Sequence, residues 1–528
     1  MHALAPLLDA PRFDREGAIF PRPSPAPGER RLRDQDPQEQ RRQRASRSRG
    51  RRGCCRSLGR PRQRVEQTVP AHGLLAANAV GLFGNDLAAR PVAPGHGPRR
   101  VARGLALTER TAYSDPGAIR TQASAPAACG PSTARRSWVT NGGLADLAVV
   151  VARTTDARLH ARPKPLRLRV ERADGFTTSP SPREAGFAAR RRPPCASRAS
   201  GHQRAPPGRR LLGLPGGDGG VLAGQGGLAA ACAGAARRLV SLCIERVNAR
   251  AAFGRNIAEF GMVKEKLAGM MAETWAMEST LYLTTGIADA KVPDWSLESA
   301  MSKLFASEAL GRVANAAVDL AGGVGIAQGE PWERTLRDAR VFQIMQGTNE
   351  TLRAYVALGG LQGPSRQIAE VSRAMREPIK GFGLMYEFAI QRARTALGRE
   401  RMARCHRALR REAAVVEEGV LGIARAVDKV LRRHGKDIAE MQFSQRRLAD
   451  VITDLYALTA CLARCTRLIE RKGESGAQRE ADLTAAFANQ VERRLRANLA
   501  AFEENDDRLL AGIAARACAD GAYSFKLP

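Results

Sequence analysis

Three ordinary residue types are almost missing from the first half of this 528-residue chain. Residues 1–240 hold one lysine (Lys164), one tyrosine (Tyr113) and two isoleucines (Ile19 and Ile119). Arginine, proline, glycine and alanine dominate instead. Over residues 1–104 such a composition cannot bury enough apolar area to offset the entropy of ordering the chain. Cysteine is sparse in a different way. The ten cysteines form no CxxC pair and no spacing with histidine that suits zinc, so no metal site is read. Cys54 and Cys55 are adjacent, Cys461 and Cys465 lie one helical turn apart, and the expected state is a reduced thiol. No apolar run is read as approaching the roughly 20 residues that span a bilayer. The opening MHALAPLLDAPRFDRE lacks a basic start followed by an apolar core, which argues against a secretory signal and for a cytoplasmic location. Arginine richness after Arg30 leaves a mitochondrial transit segment as the alternative, with Asp9, Asp14, Glu16 and Glu29 against it.

The net charge of +31 is unevenly spread. Residues 1–240 carry about +25 and residues 241–528 about +6, which together make the total. Two kinds of sequence share one chain. A disordered basic arm is one explanation, and RRQRASRSRGRRGCCR (Arg41 to Arg56) would bind phosphates without structure. That arm has no aromatic residue to stack on bases, and no nucleic-acid partner is expected. The other explanation is a GC-rich gene read out of frame, which yields mostly Arg, Ala, Gly and Pro. Islands of ordinary sequence inside the biased background favour it: VGLFGND (Val80 to Asp86), LALTERTAYSDPGAIRTQA (Leu105 to Ala123) and SWVTNGGLADLAVVVARTTD (Ser137 to Asp156). In the last island LAVVVART is a buried-strand pattern that follows a glycine turn. Between 157 and 220 no alternating strand is read.

Downstream, helical periodicity takes over. Leu239, Leu242, Cys243, Arg246 and Val247 mark one face of a helix running from Leu228 to Gly254. Phe260, Val263, Leu267, Met270, Met271, Trp275 and Met277 mark a second, to about Asp289. A third begins near Ser296 with Asp294 or Ser296 as N-cap and stops at Gly322–Gly323. A fourth starts at Asn349. Four long helices with short connections read as a bundle. A separate helical region spans about 374–515. Val415, Val420, Ile423, Val427 and Val430 mark one of its helices, and Phe443 to Glu470 forms another. Gly435 and KGESG (Lys472 to Gly476) act as breaks, and a short last helix follows.

The most informative stretch is QIMQGTNETLR, Gln343 to Arg353, where a Gly-Thr-Asn turn opens a helix whose unpaired amides can hold an anion or a polar ring edge. With RAAFGRNI (Arg250 to Ile257), DLAGGVG (Asp319 to Gly325) and ERTLRDAR (Glu333 to Arg340) it makes four motifs in order. Together they resemble the flavin-dependent acyl-CoA dehydrogenase family. LTERTAYSD and WVTNGG resemble two flavin-facing segments of that family, and QRRLADVITDLYAL resembles the extra helical region of its very-long-chain type.

The resemblance implies a mainly α protein with an N-terminal helical domain, a central β-domain, a C-terminal four-helix bundle and an extra helical domain. The N-terminal half is expected to be degraded or disordered. The expected divisions are 1–104, a remnant of the N-terminal helical domain; 105–220, a remnant of the β-domain; 221–373, the bundle; and 374–528, the extra domain. It also implies FAD, oxidation of an acyl-CoA to the trans-2-enoyl-CoA, electron-transfer flavoprotein as acceptor, and a homodimer or dimer of dimers. By the same resemblance Arg250 lies toward the FAD pyrophosphate, Phe253 is a further cofactor-binding residue, and Asp319, Gly322 and Gly323 lie along the adenosine half. Thr348, Asn349 and Glu350 hold the flavin side, while Leu107, Thr108, Ser114, Trp138 and Thr140 line the flavin. Gly347 contacts the thioester region of the substrate. The catalytic glutamate position is occupied by Gln346. Some relatives carry the base on the first bundle helix instead, where Gln225, Gly226 and Gly227 offer no carboxylate. Other departures are Asp319 in place of Gln, Ala252 in place of Gln, Arg110 in place of Pro and Tyr113 in place of Gly. Two other functions compete: a non-catalytic helical module for dimerisation or peripheral membrane contact, and an arginine-rich nucleic-acid binder.

Overall fold

A computed structural model describes residues 103–115, 118–123, 132–140, 147–154, 165–171, 176–178, 195–199, 219–290, 292, 294–361 and 402–523. The readings made for residues 1–102, and for the junction near 374, lie outside them. The chain divides into two compact units, Met1–Thr351 and Leu352–Pro528.

In the first unit LAVVVART forms strand β4, Leu147–Thr154, as its β-branched run predicts. Ala148, Val150 and Ala152 are buried, and so is Val151 on the opposite face, where it packs with Ala112 and Ile119. A strand buried on both faces reads as an unbroken apolar run rather than as an alternation. β4 pairs in parallel with β1 (Arg103–Ala106) and β2 (Gln122–Ala123), and antiparallel with β5 (Pro165–Glu171). A second sheet has the antiparallel order β3-β7-β6, built from Ser132–Arg136, Cys195–Ala199 and Phe176–Thr178. The absence of strands expected between 157 and 220 is therefore corrected: β5, β6 and β7 all lie there. In β5 Leu166, Leu168 and Val170 do alternate with Arg167 and Arg169, a period-2 signal overlooked among the surrounding arginines, whereas β6 and β7 are too short and too polar to show one.

Helix dominates the rest. Helix α1 covers Gly219–Ala249, starting before Leu228 and ending before Gly254. Its apolar residues run around the whole helix, with Leu228 to Ala233, Ala235, Ala236, Leu239, Cys243 and Val247 buried. The window Gly224–Ala249 is long and apolar enough to cross a membrane, which corrects the sequence reading that no run comes close. Most of it is buried against helices α2 (Gly261–Asp289) and α3 (Ser296–Ala321), as in a core helix. The stretch expected to finish α1 instead makes a hairpin, Ala251–Ala252 (β8) with Arg255–Asn256 (β9). Phe253 and Gly254 at its tip both have positive φ, 54° and 77°, as two-residue hairpin loops require.

Helix α3 begins at Ser296 with Trp295 at the N-cap, which corrects the Asp294 or Ser296 expected there; Asp294 Oδ1 accepts from the Ser296 amide at 3.0 Å, and the helix ends at Gly322, φ 67°. Pro331–Ile344 then forms α4, with Pro331 in its first turn and Trp332 and Phe342 buried. This helix was not anticipated as a bundle member, because its arginines and acids lower its apolar signal. Another, α5, opens at Asn349 and covers residues 349–361.

The second unit contains α6 (Arg410–His434), α7 (Gln442–Gly476), α8 (Gln478–Ala500) and α9 (Asp507–Asp520). Gly435 stops α6 at φ 53° and Gly473 breaks α7 at φ 76°, both at expected glycines. The valine stripe assigned to α6 needs correction. Val420 is exposed, and the buried face is Glu412, Ala413, Val416, Gly419, Val430 and Leu431. Gly419 lies there because an added Cβ would meet Leu455 Cδ2 at 2.5 Å, so close helix packing rather than side-chain bulk chose that face. Cys461 and Cys465 are buried free thiols.

Candidate active site on the helical bundle

The turn between α4 and α5 carries the distinctive geometry. Gln346 has φ 57° and Gly347 φ 90°. A glycine takes such angles freely, but a side-chain-bearing residue at left-handed φ costs roughly 1–2 kcal/mol and must be held there by its surroundings. The side-chain oxygen of Gln346, Oε1, is buried and accepts no hydrogen bond from the described residues. Buried polar atoms are normally paired, so this acceptor is available to a further donor at the turn.

The turn is held from α3. Lys303 is fully buried, and its ammonium donates to the Gly347 carbonyl at 2.8 Å and to Asn349 Oδ1 at 2.9 Å. Asn349, only 1% exposed, donates to Ser307 Oγ at 3.0 Å and to Glu308 Oε1 at 2.8 Å. Its side chain is thus engaged inside the bundle. Thr348 caps α5, its Oγ1 accepting from the Thr351 amide at 3.2 Å. Glu350 is exposed. On α1, Gln225 is buried and its Oε1 accepts from Ser299 Oγ at 3.0 Å, so an amide occupies this part of the helix where some relatives carry the base.

The remaining bundle-side candidates are open. Arg250 is exposed and its carbonyl accepts from the Ile257 amide. Phe253 is 94% exposed at its hairpin tip, edge-on to Phe260, whose ring also carries the Arg255 guanidinium at 4.1 Å. Gly322 and Gly323 face empty space, with nothing within 4 Å of an added Cβ. Asp319 is paired with Lys266, so the extra negative charge read from the sequence has a local counter-ion. Within α4 Arg337 binds Glu333 at 2.8 Å. Burial pulls the Arg334 guanidinium below its ordinary range, opposed by Asp338 and Glu333.

On the β side, Leu107 packs against the Ala112–Ile119–Val151 cluster, and the Thr108 carbonyl accepts from the Ser137 amide at 2.9 Å. Ser114 is exposed and Thr140 half-buried. Trp138 has φ 59° and is 42% exposed, and its indole N–H donates to the Tyr113 hydroxyl at 3.0 Å. The tyrosine that replaces glycine in this loop therefore occupies the indole's donor.

Sequence reasoning missed what holds this loop together. Arg136 is fully buried, with NH1 at 2.5 Å from Glu109 Oε1 and 2.7 Å from Thr121 Oγ1, Nε at 3.3 Å from the Ala106 carbonyl, and NH2 on the Val151 carbonyl. Glu109 also accepts from the Arg120 amide at 2.8 Å and the Thr121 hydroxyl at 2.6 Å. Burial pushes its carboxyl up. The Thr121 hydroxyl, the Arg120 and Thr121 amides and the Arg136 charge outweigh that and hold it below the usual carboxylate range. Elsewhere in the bundle, burial pushes the Cys243 thiol up to about 11, which makes it unreactive. Among the described residues no cluster of three or more His, Cys, Asp or Glu is placed to hold a metal ion.

This arrangement matches a known class. The acyl-CoA dehydrogenase C-terminal domain matches residues 222–361, and the ACAD9/ACADV C-terminal domain matches residues 407–523. The very long-chain specific acyl-CoA dehydrogenase of Bos taurus is 30% identical over 451 residues, 82% of this chain and 68% of that protein. A probable acyl-CoA dehydrogenase of Bacillus subtilis is 25% identical over 83% of this chain and 74% of its own length. In fold, an acyl-CoA dehydrogenase from Bacillus anthracis, solved with FAD, superposes with a TM-score of 0.66 at 22% identity, over 84% of this chain and 77% of that one. The chain belongs to the acyl-CoA dehydrogenase family.

Proposed function

We propose that this chain binds FAD and a fatty acyl-CoA thioester and carries out α,β-dehydrogenation slowly, because Gln346 stands where a proton-abstracting carboxylate is needed. The observation that carries this reading is the left-handed turn at 346 with its orphaned buried side-chain oxygen. The residues present fit the flavin. Arg250 is free to meet a phosphate as a guanidinium fork, Gly322 and Gly323 leave room beside a helix end, and the Trp138 indole is part-exposed toward solvent. Leu107, Thr108, Ser114 and Thr140 would complete that wall. FAD would supply a hydride acceptor, with electrons passed on to an electron-transfer flavoprotein.

The protein's own share is to bind, orient and deprotonate. The α-proton of a thioester is weakly acidic, and a positioned general base contributes roughly 10²–10⁴-fold, about 3–5 kcal/mol of barrier. The Gln346 amide retains the size and hydrogen-bonding capacity to position a thioester but has no useful basicity. Gln225 on α1 has none either. On this reading substrate binding survives while turnover is slowed. The test is acyl-CoA-dependent flavin bleaching in the full chain, with FAD supplied, before and after Gln346→Glu. We expect a rise of at least about 10²-fold; equal rates would place the base elsewhere.

A second reading, peripheral membrane contact through the C-terminal helices, is supported by α9, where Leu509, Leu510 and Ile513 are exposed. Co-flotation with anionic vesicles, abolished by Leu510→Glu, is the expected result. Flotation that this substitution leaves unchanged would remove that reading.

A further inference from the structure

We propose that Lys303 is a positioning residue of this site: its buried ammonium fixes the left-handed turn that presents the side chain of residue 346. The proposal rests on the function proposed above only for what that side chain does, not for how it is held.

A lysine with no exposed surface is unusual, and a buried charge survives only when hydrogen-bonded. Lys303 spends two of its donors on the turn, one on the Gly347 carbonyl at 2.8 Å and one on Asn349 Oδ1 at 2.9 Å, so it grips the chain on both sides of Thr348. Ser307, one helical turn further along α3, exchanges hydrogen bonds with the Asn349 side chain, and Glu308 accepts from its amide at 2.8 Å. Gln343, just before the turn, donates to the Ser307 carbonyl at 3.4 Å. One ridge of α3 therefore holds residues 343, 347 and 349, while Gln346 itself contributes no bond to the described residues through its Oε1. Residue 346 does not hold itself; its neighbours hold it, and of the two charged members of that set, Lys303 and Glu308, the ammonium is the one that reaches the Gly347 carbonyl of the turn itself. Charge-assisted bonds are stronger than neutral ones, so removing it should loosen the turn first.

The experiment compares the full chain with Lys303→Met, which keeps the length and loses both bonds, and Lys303→Arg, which keeps the charge and the donors. Amide hydrogen exchange reads the turn without any flavin. We expect Lys303→Met to speed exchange over residues 345–351 by about tenfold or more while helices α1 and α2 change less than about twofold, with Lys303→Arg recovering most of the protection. In the Gln346→Glu background with FAD, Lys303→Met should lower kcat by about tenfold with KM changed less than about threefold, because a misplaced base costs rate rather than binding. Unchanged exchange over 345–351 would overturn the proposal. So would a rise shared equally by α1 and α2, or loss of cooperative melting in the Met variant, since the lysine would then hold the bundle and not the turn. If Gln346→Glu with Lys303 intact shows no bleaching, the proposed function fails, and the exchange result alone decides the positioning role.

Discussion

At the scale of single residues, the Glu109–Arg136 pair makes the firmest demand. Replacing Glu109 by Gln leaves a fully buried guanidinium without its carboxylate, and breaking such a pair costs about 3–5 kcal/mol. We expect Glu109→Gln to weaken protection of the β4 amides by that order at pH 7, read by hydrogen exchange. The pH dependence has a definite sign. The Glu109 carboxyl is held below its ordinary value in the fold, so its contribution is present above about pH 4.5 and is lost as pH falls through the lowered value. The gap between parent and variant should therefore narrow in acid; a gap that widened would contradict the assignment. Neither partner stood out in the sequence, since an LTER run and a repeated arginine carry no periodicity. Lys303 escaped for a related reason. Within MSKLFASEAL a lysine reads as a solvated face, and its burial is set by a carbonyl 44 residues away, at Gly347. Gln346 was legible because a motif of adjacent residues carries it. Asn349 was legible as part of that motif but not in its buried contacts, because the ridge of α3 that engages its side chain is distant in sequence.

At the scale of elements, the glycines of the stop after α3 divide sharply. A Cβ on Gly325 would meet the Val318 carbonyl oxygen at 2.8 Å and Ala321 Cβ at 2.9 Å, and the backbone atom cannot move aside. We expect Gly325→Ala to cost about 1–3 kcal/mol, seen as a lower thermal midpoint. Gly323 faces open space, so Gly323→Ala should leave stability within about 0.5 kcal/mol while weakening FAD retention in equilibrium dialysis. Equal thermal effects at the two sites would disprove the packing argument. Elements whose signals are local were legible: the β4 run, the Gly322 stop of α3, the glycine breaks around α7. Elements stabilised by tertiary partners were not. α4 is rich in charge yet buries Trp332 and Phe342, and the β8–β9 hairpin is set by two positive φ angles that no residue at position 253 advertises.

At the scale of the whole molecule, the two compact units imply separable unfolding. Arg494 grips Asp454 through two bonds of 2.8 Å between α8 and α7, inside Leu352–Pro528. Arg494→Leu removes both of these bonds from a largely buried aspartate, and partial exposure of the arginine tempers the cost to about 1–3 kcal/mol. Calorimetry should show one transition moving down and another staying put. A single transition shifting as a whole would mean that the units unfold together.

The backbone at residue 346 has a consequence for how this chain can change over generations. Glutamine and glutamate codons differ only in their first base, and the two side chains have nearly the same shape. A left-handed φ of 57° there treats them alike, and the neighbours that impose it are already in place. A single nucleotide change in that codon would install a carboxylate without moving an atom of the scaffold. Loss of Lys303, by contrast, would remove the support that any residue at 346 requires. On the proposed reading the loss of the base at this turn is thus of the shallow, reversible kind, and its reversibility is stored in a lysine on a different helix.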